Sequence, residues 1–431
     1  MRVLNYSTRI LGGTFALSLS LSAQTFTTLH NFGSQSYDGI LPQGGVIQGP
    51  NGALYGTTFQ GGRWGRGTVY ELLPPVSRGE PWTDVVLHSF KSGGANLTAG
   101  LVMGPNGALY GVAPGGIVAE GKYGMAFELD PPTEMSGDWI FSIIYQFTET
   151  DGDPSSSLIF GSPFGCCQSL YGTTFYDGLS PSDPPELATV YRMTPPPAAG
   201  ALWTHTILYT FPGLTQGMVP EGSLAVGSAG TLFGVTADGG YVGGGCGNDN
   251  GCGTVFSLTP PTQAGGTWTK GILHAFNPGL GDGAIPTAGM VIGPSGVLYG
   301  TTSSGGEGGG GVVFSLTPTI TPGAPMTETI LYAFPAPTVG SGLPGTLLLG
   351  PTGVLYGTRA SGGASGYGTV FALTPPASPG GIWTETILHN FTNGADGGYP
   401  TGLTLSSDGT LYGTTYYGGA NSFGTVFALR P

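Results

Sequence analysis

The hydrophobic and polar positions of this 431-residue chain recur in one pattern, at spacings of 55 to 66 residues. The clearest marker is the phrase Leu-Tyr-Gly-Thr-Thr or a close variant, followed by a glycine-rich stretch. Its seven copies begin at Leu54, Leu109, Leu170, Leu232, Leu298, Leu355 and Leu411. A period of this length indicates an array of repeated supersecondary units rather than a series of unrelated domains.

The last repeat shows which elements the pattern predicts. Residues 401–405, 411–415 and 424–429 are short runs rich in β-branched and aromatic residues, separated by glycine, serine and aspartate. In earlier repeats a proline-rich link leads to a fourth run, such as residues 383–391. These runs predict four short strands per repeat, and no window shows a sustained helical period.

Four antiparallel strands repeated seven times predict an all-β fold, a seven-bladed β-propeller. A parallel β-helix is the alternative solenoid, but its coils are much shorter than this period. Small residues precede most marker leucines by nine positions, at Gly45, Gly100, Ser223, Gly289, Thr346 and Gly402, and Ser157 takes this place in the third repeat. Because strands crowd together near a propeller axis, these small residues place the first strand of each repeat innermost.

The two chain ends are predicted to close the ring together. Only six fourth strands lie between a third strand and the next repeat, and the seventh is at the other end of the chain, where residues 27–32 match residues 386–391. We therefore expect an N-terminal strand, residues 25–32, to be the outermost strand of the C-terminal blade. This arrangement would remove the free edge of the sheet.

The repeated phrases also resemble a known family. The pattern G-x-LYGTT-x-x-GG-x-x-x-x-GTVF-x-LTP, seen in residues 353–375, resembles the Gloeo/Verruco (GloVer) tandem repeat of exported bacterial proteins. The resemblance covers residues 25–431 and is weakest at residues 124–127 and 188–191. It implies an exported repeat protein, and it brings no established activity and no catalytic residues.

The N-terminus predicts an export signal. Arg2 and Arg9 form a positive region, and residues 10–22 form a short apolar run that is too brief to span a membrane. We expect residues 1–23 to be a signal peptide, residues 24–431 to be one propeller domain without a membrane span, and the mature chain to be secreted or periplasmic.

The cysteines fit an oxidising compartment. Cys246 and Cys252 flank a five-residue loop, and we predict a disulfide between them rather than a zinc site. Cys166 and Cys167 are adjacent, and the sequence leaves open whether they form a strained vicinal disulfide, stay reduced or pair with another chain.

Charge limits the possible partners. Only 8% of the residues are charged, the net charge is −13, and no cluster of lysine or arginine occurs. This excludes the basic surface that nucleic acids or anionic membranes require. A neutral or cationic partner is compatible, such as a polysaccharide or another envelope component, and we predict no bound cofactor, with Ca²⁺ left open.

The candidate binding residues are those that break the repeat. They lie in two loops between second and third strands: Asp177, Asp183 and Glu186 in the third repeat, and Tyr241, Asn248, Asp249 and Asn250 in the fourth. Such a patch could hold Ca²⁺ or sugar hydroxyls, and neutral drift of the loops is the alternative explanation.

Four aspartates that precede glycines form a second candidate group, at Asp38, Asp151, Asp282 and Asp396. Placed around an axial mouth, their carboxylates could bind a cation. Asp-Gly is also ordinary turn chemistry, in which the side chain accepts hydrogen bonds from nearby amides. His30, His88, His274 and His389 share a register on the outermost strands, where they lie too far apart to share one metal ion.

No catalytic signature occurs in the sequence. We therefore predict a binding or scaffold protein of the cell envelope or the extracellular space. The alternative is a glycan-active enzyme, a hydrolase or lyase, whose carboxylates would come from Asp153, Glu221 and Glu307. A purely structural surface protein is the third possibility.

Overall fold

The computed structural model describes most of the chain. The described ranges are 24–77, 79–91, 97–117, 122–134, 137–148, 150–154, 156–161, 169–175, 188–197, 202–243, 246, 250–263, 265–319, 325–336, 345, 347–378 and 380–431. The predicted signal peptide, residues 1–23, and the two adjacent cysteines lie outside them. Within these ranges, no helix has both the length and the apolar character needed to cross a membrane.

Seven antiparallel sheets form the blades of a β-propeller, as predicted, and blade n contains the n-th copy of the marker phrase. The innermost strands are Ile47–Gln48, Val102–Met103, Ile159–Gly161, Met218–Val226, Val291–Ile292, Leu348–Leu349 and Gly398–Leu405. The second strands, which carry the marker phrase, are Leu54–Thr58, Leu109–Ile117, Ser169–Phe175, Leu232–Asp238, Leu298–Thr301, Leu355–Arg359 and Leu411–Tyr417. Blades 3 and 5 carry additional short strands in their sheets.

The third strands are Thr68–Leu73, Lys122–Asp130, Thr189–Thr194, Thr254–Thr259, Gly309–Thr317, Thr369–Thr374 and Thr425–Arg430. The outermost strands of blades 1 to 6 are Thr83–Ser89, Ile140–Gln146, Thr204–Thr210, Thr269–Ala275, Thr327–Pro335 and Thr384–Asn390. The outermost strand of blade 7 is the N-terminal strand Thr25–Asn31, which pairs with Thr425–Arg430. The predicted closure of the ring by the N-terminus is confirmed.

Short elements decorate one end of the disc. The aspartate-glycine loops pair with the glycine-rich loops through the strands Gly39–Ile40 with Gln60–Gly61, Gly283–Ala284 with Ser304–Gly305, and Asp153–Pro154 with the second strand of blade 3. Single 3₁₀ turns also occupy Leu214–Gln216 and Pro278–Leu280 at this end. Two further 3₁₀ turns, Ser228–Gly230 and Pro294–Gly296, join innermost to second strands and therefore lie at the opposite end. Both sets of loops therefore share one face, as the sequence predicted, and we call it the loop face.

The blades pack through aromatic side chains. The phenylalanine that follows each outermost strand is buried and meets the aromatic ring of the third strand in the next blade, at ring-centroid distances of 5.1–5.4 Å. The glycine of the marker phrase makes room for that ring, since a Cβ added to Gly234 would lie 2.6 Å from Cζ of Phe256. The glycine of the marker phrase therefore recurs because the packing of the blades requires it.

Buried threonines join the second and third strands inside a blade. The Thr58 and Thr68 hydroxyls lie 2.9 Å apart, and the Thr415 and Thr425 hydroxyls do the same. Each of these four hydroxyls thus finds a polar partner inside the core. In blade 6 Arg359 is opposite Thr369, and the Thr369 hydroxyl has no partner among the described residues. The recurrence of Thr-Thr and Gly-Thr-Val-Phe in the sequence follows from this pairing.

A β-bulge interrupts the pairing of the third and outermost strands in all seven blades. In blade 7, Phe26 is opposite Leu429 and His30 is opposite Val426, with Leu29 left out of the register. The extra residue places Phe26 and His30 on opposite faces of the blade, because side chains alternate along a strand. Each outermost strand consequently presents its second residue to the preceding blade and its sixth residue to the next.

Candidate functional site

The innermost strands enclose a cavity on the propeller axis. Its volume is about 540 Å³, and residues from all seven blades line it. Small side chains, hydroxyls and backbone amides dominate the lining, with Gly45, Gly100, Ser157, Ser223 and Gly402 among them. A Cβ added to Gly402 would lie 2.8 Å from the Cα of Gly45, so small residues are required where neighbouring innermost strands approach. The predicted role of these residues is confirmed for those that the structure describes.

Glu221 is the single charged residue among the described residues of the cavity lining. Burial and, to a smaller extent, the charge of Asp238 raise the pKa of its carboxyl to about 7. Asp238 ends the second strand of the same blade and does not itself line the cavity. The other two acids proposed for catalysis, Asp153 and Glu307, do not line it either, so the described lining brings one carboxylate to the axis.

The raised pKa of Glu221 leads to a pH-dependent prediction. Since the carboxyl titrates near 7 in the folded chain and near 4.5 ordinarily, the folded state gains stability as the pH falls from 8 to below 4.5. We expect Glu221→Gln to be more stable than the wild type at pH 8 by on the order of 2 kcal/mol, and the difference to vanish below pH 4.5. Urea unfolding of both proteins at the two pH values measures it. An identical difference at both pH values would contradict the assignment.

Tyrosines surround the mouth of the axial cavity on the loop face. A second cavity of about 300 Å³ shares Gln43, Thr98, Gly345 and Thr401 with the axial cavity and is bordered by Tyr399 and Tyr416. Tyr367, Tyr399, Tyr416 and Tyr417 contact one another with ring centroids 4.5–5.8 Å apart, and we call them the tyrosine cluster. Sequence reasoning missed this cluster, although the Tyr416-Tyr417 pair is a visible departure from the repeat.

The four aspartates of the aspartate-glycine loops are not among the residues that line the axial cavity, and their contacts are those of the turn alternative. Each carboxylate instead accepts a hydrogen bond from a backbone amide just after an outermost strand, those of Ser34, Thr148, Asn277 and Thr392. Each also approaches the histidine or tyrosine of that strand: His30 to Asp38, Tyr145 to Asp151, His274 to Asp282, and His389 to Asp396. The turn that leaves the strand holds the carboxylate at the blade periphery, as the turn interpretation expected.

The outermost strands meet in one residue pair at each seam between blades. The sixth residue of one strand faces the second residue of the next, in the pairs His30–Asp84, His88–Phe141, Tyr145–His205, Tyr209–Lys270, His274–Glu328, Tyr332–Glu385 and His389–Phe26. The histidine register seen in the sequence corresponds to the sixth residues of these pairs. Sequence reasoning missed the second residue, because only the bulge turns it towards the preceding blade.

At each of two seams, one histidine and two carboxylates lie close together. At the seam of blades 7 and 1, the ligand atoms of His30, Asp38 and Asp84 lie within 4.8 Å of one another. Burial is the main cause that raises the pKa of Asp84 to about 6. At the seam of blades 4 and 5, His274, Asp282 and Glu328 form the equivalent group, and burial raises the pKa of Glu328 to about 7.

A disulfide closes the loop between the second and third strands of blade 4, as predicted. Cys246 and Cys252 form a disulfide with Cα atoms 4.9 Å apart, and the Cys252 amide donates to the carbonyl of Tyr241. Tyr241 is 44% exposed, and Asn250 is exposed near Asp238. Their predicted role in ligand binding stays a prediction.

The remaining candidates of this patch are Asn248 and Asp249 in blade 4, and Asp177, Asp183 and Glu186 in blade 3. All five lie outside the described residues. The proposed neighbourhood of the two loops therefore stays a prediction as well.

Together these features define a class of protein: a seven-bladed β-propeller with a polar axial cavity that opens beside aromatic residues on the loop face. Three overlapping segments, residues 7–182, 138–343 and 246–431, match the Gloeobacter/Verrucomicrobia repeat. The chain belongs to this family, which confirms the resemblance seen in the sequence. No curated protein is detectably similar to it.

Several solved structures are similar to this chain at low sequence identity. A protein of unknown function from Dyadobacter fermentans DSM 18053 is 12% identical, with 94% of this chain and 96% of that chain covered and a TM-score of 0.46. The soluble aldose sugar dehydrogenase of Escherichia coli is 14% identical, with 95% and 99% covered and a TM-score of 0.45. The Trypanosoma rangeli sialidase in complex with sialic acid is 12% identical, with 89% and 59% covered and a TM-score of 0.43.

Proposed function

We propose that this chain is an exported binding module that holds a neutral polysaccharide at its loop face, in the axial cavity and against the tyrosine cluster. The observation that carries the proposal is the joining of the two cavities beside Tyr399 and Tyr416. Hydroxyls and backbone amides of the axial cavity would hydrogen-bond sugar hydroxyls, and the tyrosine rings would supply apolar contact. Ligand sites commonly combine these two features.

Charge and location support the same choice of ligand. A net charge of −13 and the carboxyl of Glu221 in the cavity disfavour an anionic ligand near neutral pH. The N-terminal apolar run and the Cys246–Cys252 disulfide support export to an oxidising compartment, where polysaccharides of the envelope are accessible.

The number of carboxylates in the axial cavity favours binding over hydrolysis. Glycoside hydrolysis ordinarily needs two carboxyl groups about 5–10 Å apart on either side of the scissile bond, and the described cavity lining supplies Glu221 alone. We therefore expect the mature chain to release no reducing sugar from the polysaccharides that it binds.

Tyr416→Ala should weaken binding of a neutral polysaccharide at least tenfold, because it removes an aromatic ring that borders the second cavity. The wild type would first be screened on an array of neutral and acidic glycans, and the best neutral ligand would then be titrated calorimetrically. Tyr37→Ala is the matched control, since Tyr37 is 65% exposed on the loop face and lines neither cavity.

Two results would overturn the proposal. One is the absence of binding to any glycan on the array, which would favour a purely structural role. The other is equal loss of affinity in Tyr416→Ala and Tyr37→Ala, which would place the ligand elsewhere on the loop face.

A further inference from the structure

The seam where the N-terminal strand closes the ring contains three side chains that leave buried polar atoms unsatisfied, and two of these side chains, His30 and Asp38, are themselves buried. His30 lies on the N-terminal strand of blade 7, Asp38 on the loop that follows it, and Asp84 on the outermost strand of blade 1. The side chains of His30 and Asp38 are only 8% and 2% exposed. Nε2 of His30, Oδ1 of Asp38 and Oδ1 of Asp84 have no hydrogen-bond partner among the described residues.

The spacing of these atoms fits ligands of one ion better than a direct hydrogen bond. Nε2 of His30 is 3.6 Å from Oδ2 of Asp38, which is too long for a hydrogen bond. Two ligands of a tetrahedral ion with bonds of about 2.1 Å lie about 3.4 Å apart. All three ligand atoms are within 4.8 Å of one another, so small side-chain rotations bring them around one centre.

The hydroxyl of Tyr70, on the third strand of blade 1, is fully buried and also has no hydrogen-bond partner among the described residues. This hydroxyl is not specific to the seam, because Tyr191 occupies the same position in blade 3 and its hydroxyl is likewise without a partner. Unpaired buried polar atoms destabilise the folded state, so a partner shared by His30, Asp38 and Asp84 is favoured.

We propose that His30, Asp38 and Asp84 bind a divalent transition-metal ion, Zn²⁺ by preference, at the seam of blades 7 and 1. One imidazole and two carboxylates are a donor set that Zn²⁺ accepts in four-coordinate geometry. Ca²⁺ prefers six to eight oxygen ligands and would leave the imidazole unused. The ion would tie the N-terminal strand to blade 1 and so stabilise the closed ring.

The seam of blades 4 and 5 provides an internal comparison. There, Nε2 of His274 is hydrogen-bonded to Oδ2 of Asp282 at 2.9 Å, and Oδ1 of Asp282 accepts from the Gly283 amide. Asp282 has no unsatisfied oxygen, and the side chains of His274 and Glu328 are 18% and 17% exposed. His274 and Asp282 are therefore satisfied without an ion at this seam. Of the three side chains, only Glu328 leaves a buried atom, Oε1, without a hydrogen-bond partner among the described residues. We therefore expect this seam to bind zinc far more weakly.

The test is a thermal unfolding series on the full mature chain, first stripped with a chelator and then supplied with ZnCl₂, MgCl₂ or CaCl₂. For a chain of this length, a zinc concentration about 100 times the dissociation constant should raise the Tm by about 3 °C. MgCl₂ and CaCl₂ should raise it by less than a third of that. Metal analysis after gel filtration should find about one zinc per chain in the wild type.

Two isosteric variants decide where the ion binds. Asp84→Asn should lose the zinc-dependent shift and bind zinc at least tenfold more weakly, while Glu328→Gln should respond as the wild type does. Circular dichroism of both variants checks that they are folded, and His30→Gln provides a second ligand variant if Asp84→Asn is not. The proposal is overturned if zinc leaves the wild-type Tm unchanged, or if Glu328→Gln rather than Asp84→Asn loses the response.

Discussion

A chain that begins at residue 33 is expected to lose its stable closed fold. Residues 24–32 supply the outermost strand of blade 7 and the buried ring of Phe32, which packs 5.1 Å from the ring of Tyr70 in blade 1. Truncation of one buried phenylalanine costs about 3–5 kcal/mol, and the deletion also removes a ladder of backbone hydrogen bonds. The combined loss is comparable with the total stability of a typical domain, about 5–15 kcal/mol.

The deletion also leaves the third strand of blade 7, Thr425–Arg430, as an exposed edge. Exposed edges pair with other chains, so we expect soluble aggregates or dimers in gel filtration and a lower midpoint in urea unfolding. The outcome that would contradict the closure argument is a monomer whose unfolding midpoint matches that of the mature chain.

A synthetic peptide of residues 24–32 provides the control for this deletion. Added to the shortened chain, it should restore the monomer and part of the lost stability, because it can pair with the free edge in the native register. The same peptide with Phe32→Ala should restore much less, since it cannot fill the space beside Tyr70. Equal rescue by both peptides would show that the edge pairing, and not the aromatic contact, closes the ring.

Gly234→Ala is expected to destabilise the chain by about 1–3 kcal/mol, the usual cost of overpacking a filled core. The added methyl would lie 2.6 Å from Cζ of Phe256 and 2.8 Å from a side-chain carbon of Leu224. Because the backbone there is held in the second strand of blade 4, the ring and not the strand must move. Urea unfolding gives the change in free energy.

Gly271→Ala is the matched control in the same blade. Gly271 lies on the outermost strand, where the nearest atom to an added methyl is the rotatable hydroxyl of Ser257, at 3.1 Å. We expect this variant to be within about 0.5 kcal/mol of the wild type. If both alanine variants were equally destabilised, the cost would come from loss of glycine in general and not from the packing of the marker phrase.

The strand order could be read from the sequence because it depends on local patterns. Seven copies of the marker phrase fix the number of blades, and the small residues that precede them fix which strand is innermost. The match between residues 27–32 and 386–391 places the N-terminal strand in blade 7 without any structural knowledge. The pairing of Cys246 with Cys252 follows similarly from a short loop.

The candidate sites could not be predicted from local sequence patterns in the same way. For Asp38 and Asp282 the sequence leaves two alternatives open, a carboxylate at the axial mouth or an ordinary aspartate-glycine turn. In the structure the turn directs both carboxylates back towards the histidines of the outermost strands, and no pattern within one repeat indicates this contact. The tyrosine cluster likewise depends on how the loops of blades 6 and 7 come together, which no single repeat reveals.

The sequence alone determined the class of fold, the number of blades, the strand order and the closure of the ring, because each of these rests on a sequence pattern that recurs along the chain. Tertiary structure decided which side chains meet between blades. One bulged residue per outermost strand, such as Leu29, reverses the face on which the following side chain lies. That reversal turns His30 towards Asp84 of the next blade, and a strict alternation of side chains would have kept it on the same face as Phe26.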